Sequence, residues 1–215
     1  MIALVRKDFL PNRGQLLLLL VCAPLYVPLC CLLPAPPGGS SAVFVAYFIF
    51  FCGFGATLAF FQNDEKSRSE ALVLSLPVSR QAVVAGRYLS ILIATILPSL
   101  TMAAFWALFH AAGLRIDALP ARGFAVGLGA VLLFNAITLP VLFRFGAQKA
   151  GMAVVFVFFI PVFATTILKS LGINPLSWCT GASRSIIYAM GCTAVIASLA
   201  LSFALSLRLY GKRQF

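Results

Sequence analysis

Six runs of nearly uncharged, apolar residues, at 15–33, 41–61, 88–108, 123–142, 150–168 and 185–207, divide this chain. Each is about 20 residues long, the length an α-helix needs to cross a hydrocarbon core of roughly 30 Å. Inside such a core every backbone polar group must find its partner within the segment, so the runs are expected as helices rather than isolated strands. Only 10% of the 215 residues are charged and 62% are hydrophobic, whereas a soluble domain carries about 25% charged residues. The expected fold is an all-α integral membrane protein: six transmembrane helices in one polytopic domain covering residues 1–215. A net charge of +11 would suggest a nucleic-acid partner for a soluble protein. Here the basic residues flank apolar runs, so the expected partner is the lipid bilayer and no nucleic acid.

Residues 2–12 read as an amphipathic helix in the membrane interface, with Ile2, Leu4, Val5, Phe9 and Leu10 set against Arg6, Lys7 and Asp8. The first apolar run imitates a signal peptide, but it is longer than an h-region and is interrupted by Pro24 and Pro28, which favours an uncleaved, kinked span. Gly53 and Gly55 in the second run, and the G-x-x-x-G of Gly123 and Gly127 in the fourth, allow close helix approach. Asn135 and Thr138 are the main polar feature within a span, readable as interhelical hydrogen bonding or as lining of a substrate path. The last run carries a ridge of small residues at Ala194, Ser198, Ser202 and Ser206. Trp178, in the N-P-L-S-W of residues 174–178, suits an interfacial anchor on the outer side. The six cysteines have none of the paired spacings of a zinc site and read as packing residues.

With the N-terminus inside, twelve of the sixteen Lys and Arg residues lie on the cytoplasmic side and four outside. That asymmetry places both termini, and the polar stretch 62–87, in the cytoplasm.

This stretch holds three of the five acidic residues, Asp64, Glu65 and Glu70, beside Lys66, Arg68, Arg80 and Arg87. Asn63 or Asp64 is expected to cap a short helix. Leu72 and Leu76 fall four apart on one face, and Pro77 ends the helix by forcing its predecessor out of the α region. Ser79 is then a fresh N-cap for a helix running from Arg80 into the third span.

The residues Asp64-Glu65-Lys66, then Leu74-Ser75-Leu76-Pro77-Val78-Ser79-Arg80, then Val84 and Arg87-Tyr88-Leu89, closely resemble the cytoplasmic loop after the second span of small six-span type-2 permeases of ATP-binding-cassette (ABC) exporters. The resemblance extends to Val5-Arg6-Lys7-Asp8-Phe9 and to the six-span plan, so it covers nearly the whole chain. It implies that residues 62–87 form a coupling helix that docks on a separate cytoplasmic ATPase. Leu72, Leu74 and Leu76 would be its apolar peg, Glu65, Glu70 and Arg80 its charged contacts and Pro77 its fixed bend. It further implies a second permease, identical or related, and export of a hydrophobic or amphipathic substrate such as a peptide, an antibiotic or a lipid-like molecule across a bacterial inner membrane.

No G-x-x-x-x-G-K-[ST] phosphate loop occurs, so the chain is not expected to be an enzyme and binds no cofactor itself; ATP and Mg belong to the partner ATPase. Every charged side chain lies at or beyond a span's end, which disfavours a proton-driven carrier. The rival class is an intramembrane enzyme or an assembly factor without an ATPase partner. An enzyme would need a nucleophile and base at one depth. The sole histidine, His110, is eleven residues from Ser99 on the same run, about 16 Å along a helix axis.

Overall fold

A computed structural model describes residues 2–32, 41–67, 79–113, 120–170 and 184–212. Among these the ordered elements are all helical: α1 (Ile2–Phe9), α2 (Arg13–Leu32), α3 (Ser41–Lys66), α4 (Arg80–Ala111), α5 (Ala121–Ser170) and α6 (Arg184–Lys212). Among the described residues four stretches are long and apolar enough to cross a membrane, Ser41–Lys66, Gln81–Ala111, Ala121–Gly146 and Ala189–Leu209; the apolar stretch Arg13–Leu29 is shorter. The chain divides into two compact units, Met1–Val131 and Leu132–Phe215.

In the first unit α4 is the central element, in contact with α1, α2 and α3. Its start follows the capping chemistry read from the sequence. Ser79 has extended backbone angles, and its side chain accepts a hydrogen bond from the Ala82 N–H at 3.3 Å, satisfying one of the orphan donors of the first turn. At its other end Gly113, with φ at 75°, donates its N–H to the His110 carbonyl at 3.2 Å. A side chain would oppose that left-handed conformation, so glycine terminates the helix there. The 32 residues of α4 extend about 48 Å, well beyond a hydrocarbon core, so part of the helix stands outside it.

The core of this unit is a cluster of Ala23 and Val27 from α2, Val45 and Ile49 from α3, and Met102 and Trp106 from α4, with Tyr26, Phe44, Phe48 and Phe105 packed around it. Tyr26 keeps its phenol satisfied by donating to the Phe44 carbonyl at 3.1 Å. Pro24 and Pro28 lie inside α2, which continues through both to Leu32.

Small residues bring the start of α5 against α3 backbone to backbone. A Cβ on Gly123 would lie 2.7 Å from Ala42 Cα, and one on Gly127 would lie 2.9 Å from Ala46 Cα. The two glycines and the two alanines are each four residues apart, so one small-residue ridge lies along another. Gly53, elsewhere on α3, instead makes room for side chains: a Cβ there would meet Thr95 Oγ1 at 2.9 Å.

The second unit contains the remainder of α5 and all of α6. A straight helix of the 50 residues in α5 would reach about 75 Å, more than twice the thickness of a bilayer core. Gly146 interrupts it with φ 76° and ψ 173°, between the apolar runs expected at 123–142 and 150–168. On α6 the predicted small-residue ridge runs from exposed Ala194 through half-buried Ser198 to buried Ser202 and Ser206. Large apolar side chains on α6, Met190, Ile196 and Leu201 among them, are exposed, as expected where the solvent is lipid.

Candidate functional site

At the end of α3 and near the start of α4, four charged side chains from three helices meet. Arg87, on α4, is at the centre and is 8% exposed. Its Nη1 lies 3.1 Å from Asp8 Oδ1 in an ion pair, and its Nη2 pairs with Asp64 Oδ2. Lys7 Nζ lies 3.1 Å from Asp64 Oδ1. Two cations and two carboxylates therefore balance to zero, which is the condition under which charges remain stable away from water. The planar fork of a guanidinium suits it to bridge carboxylates on different helices, here α1 and α3. The same group lies over the Phe61 ring, 4.9 Å from its centroid.

The amides extend the cluster. Asn12 donates to the Asp8 carbonyl at 2.8 Å, occupying an acceptor left over at the end of α1. Asn63 donates to Asn12 Oδ1. Leu4 packs at the Gly86 position of α4, and Phe9 meets Phe60 with ring centroids 5.7 Å apart. Residues 4, 7 and 8 share one helical face, and this face of α1 is turned toward the protein.

These contacts correct two parts of the sequence reading. Asn63 and Asp64 do not cap a new helix, because α3 continues through them to Lys66. Asp8 and Lys7 do not simply form the polar, water-facing side of an interfacial helix: Asp8 is 5% exposed. Local periodicity assigns charges to water by default, and their buried partner, Arg87, lies some eighty residues away in sequence.

Of the predicted coupling residues, Glu65 is half-buried in the last turn of α3, one residue beyond Asp64. Arg80 is the first residue of α4. Glu70, Leu72, Leu74, Leu76 and Pro77, and with them the expected coupling helix, lie outside the described residues. The described residues stop at Ser67, three residues after Asp64, and resume at Ser79, eight residues before Arg87. The charged cluster thus joins the roots of both arms of the polar stretch and fastens α1 to them.

In the second unit, Asn135 and Thr138 are both 1% exposed. Thr138 Oγ1 donates to the Phe134 carbonyl of its own helix at 2.8 Å, a local use of the hydroxyl. Ser99 likewise bonds to the Thr95 carbonyl at 2.8 Å, whereas His110 is exposed at the end of α4. The nucleophile–base pair that an intramembrane hydrolase requires is not assembled from these two. His110→Gln is expected to leave folding and thermal unfolding in detergent as in wild type, as for an exposed side chain outside the core.

No group of three or more His, Cys, Asp or Glu side chains that could hold a metal occurs among the described residues. The apolar helices, one of them kept in place by a neutral cluster of buried charges at its end, define an integral membrane protein of the polytopic helical class. The sequence profile of the family described as ABC-2 family transporter protein matches residues 3–211, and the chain belongs to that family, the membrane-spanning permease component of ABC transporters. Searches of curated proteins and of solved structures gave no match.

Proposed function

We propose that the chain is the permease subunit of an ABC exporter, with six spans, both termini in the cytoplasm and residues 62–87 docking on a separate ATPase that carries ATP and Mg. The observation that carries this reading is the way the Arg87 cluster ties together α1 and the two arms of the polar stretch. A segment that must transmit force needs roots that move as one body, and an ion-pair network across three helices supplies that. α4 continues without interruption from the Ser79 cap to Ala111, so displacement of the stretch would be carried along a rigid helix into the membrane. ATP drives such a cycle only through different affinities for two states of the pathway, and the stretch is where that difference would be exerted.

The family membership supports association with an ABC ATPase, and the uneven distribution of Lys and Arg supports cytoplasmic termini in a bacterial inner membrane. A second permease, identical or related, would complete the pathway, and the exposed apolar side chains of α6 leave surface for lipid or for such a partner. The scarcity of charge within the spans suits a hydrophobic or amphipathic cargo, moved outward. Leu76→Asp and Glu70→Lys are the direct test. Both are expected to insert normally and to lose at least tenfold in ATP-dependent export, with recovery of a Walker-motif subunit in pull-downs falling in parallel. Normal export by both variants excludes the coupling role of residues 62–87.

A further inference from the structure

The second unit contains a groove of about 720 Å³ between α5 and α6. Its body is apolar, formed by side chains such as Ile137, Pro140, Leu201 and Leu205, and the lining also includes Arg144 and Arg208. Both arginines are exposed. Arg144 lies over the Phe145 ring, 5.1 Å from the centroid, a contact that restrains the side chain without neutralising it.

The sequence explains why these arginines are uncompensated inside their own unit. The last acidic residue of the chain is Asp117, and Leu132–Phe215 has no Asp or Glu at all. The contrast with Arg87, which has a carboxylate on each of two helices, is one of partners available. No carboxylate side chain of Leu132–Phe215 is available as a counter-charge for Arg144 and Arg208.

We infer that this groove binds one acidic phospholipid, its phosphate held by Arg144 and Arg208 and an acyl chain lying in the apolar channel between α5 and α6. Guanidinium groups match phosphate oxygens in geometry as well as charge, and an anionic leaflet concentrates such headgroups near basic side chains at helix ends. The volume lies in the range of about 300–1,000 Å³ common for small-molecule sites. A zwitterionic lipid satisfies the apolar body but offers no net charge to the two arginines. A soluble phosphate satisfies the arginines but leaves the channel unfilled. The assignment depends on the proposed topology only for the leaflet, which is the cytoplasmic one.

Native mass spectrometry of the full chain in detergent, titrated with phosphatidylglycerol and with phosphatidylcholine of the same acyl composition, tests this without any ATPase. Wild type is expected to bind one phosphatidylglycerol about tenfold more tightly than phosphatidylcholine. The double variant Arg144→Gln/Arg208→Gln should lose that preference, and Arg122→Gln, a basic residue of the first unit, should keep it. Ala204→Trp, which fills the channel and spares both arginines, should also lose binding. If Ala204→Trp binds as wild type does, headgroups are only gathering at a basic surface and the groove assignment is wrong. Equal affinity for the two lipids, a preference that survives the double variant, or a co-purified anionic amphiphile other than phospholipid in the site would each overturn the proposal.

Discussion

Replacement of Arg87 by methionine is expected to lower the stability of the folded chain by about 3–5 kcal/mol, read as a large drop in the midpoint of thermal unfolding in detergent. The size follows from what is left behind rather than from the pairs lost. Methionine retains most of the aliphatic volume beside Phe61, but it leaves the carboxylate of Asp8 without its cation. Asp64 keeps Lys7, whose side chain is 31% exposed and so contributes less through screening. The partial remedy is to remove the orphaned charge as well. Asp8→Asn with Asp64→Asn in the Arg87→Met background should recover much of the loss, since a buried network replaced as a whole by uncharged groups is often close to neutral in stability. Such non-additivity marks one coupled unit. If the three substitutions destabilise additively, the side chains act separately and the cluster does not fasten the three helices. Transport gives a second readout: the repaired triple variant should be folded yet slower in ATP-dependent export, because uncharged amides hold the two arms of the polar stretch less rigidly than ion pairs do.

The contrast between what was legible in the sequence and what was not follows the range of the forces involved. The helical spans rest on apolar run length, and the start of α4 on a serine followed by a helix-forming sequence; both are local, and Ser79 caps the helix where the sequence places it. The close approach at Gly123 and Gly127 was visible as a motif, although its partners, Ala42 and Ala46, were not, since nothing in a single sequence names which ridge a small-residue ridge meets. The charged cluster was the least legible feature. Lys7, Asp8, Asp64 and Arg87 each lie beside an apolar run, where a charge ordinarily faces water or headgroups. A signal was nevertheless present. Two of only five acidic residues stand at positions 8 and 64, at ends of apolar segments where basic residues alone would suffice for topology. An acid in such a place needs a cation, and Arg87 at the foot of the third span was within reach once α3 and α4 were taken as neighbours.

Gly127→Leu is expected to destabilise the fold for a reason that side-chain chemistry cannot repair. A Cβ at position 127 would lie 2.9 Å from Ala46 Cα and 3.0 Å from its carbonyl oxygen, and one at position 123 would lie 2.7 Å from Ala42 Cα. These are backbone atoms, which cannot turn aside as a side chain can, so α3 and α5 must separate along the ridge. Separation opens space at Ile49, which lies in the core cluster with Val27 and Trp106, and overpacking of this kind costs about 1–3 kcal/mol or more. The internal control is Gly129, two residues further along the same helix, where an added Cβ meets nothing within 4 Å. Gly129→Leu should fold like wild type and, by replacing glycine within a helix, gain about a few tenths of a kcal/mol. The comparison separates helix contact from helix propensity, because both substitutions improve the propensity of α5 and only one of them closes on α3. Monodispersity by fluorescence-detected size exclusion, with thermal unfolding of the surviving material, gives the readout. Equal behaviour of the two variants would show that α5 does not rest on Ala42 and Ala46. A severe defect for Gly127→Leu alone, relieved in part by Gly127→Ala, would place the contact between α3 and α5 among the determinants of the fold, since the smaller side chain asks for a smaller separation of the same two helices.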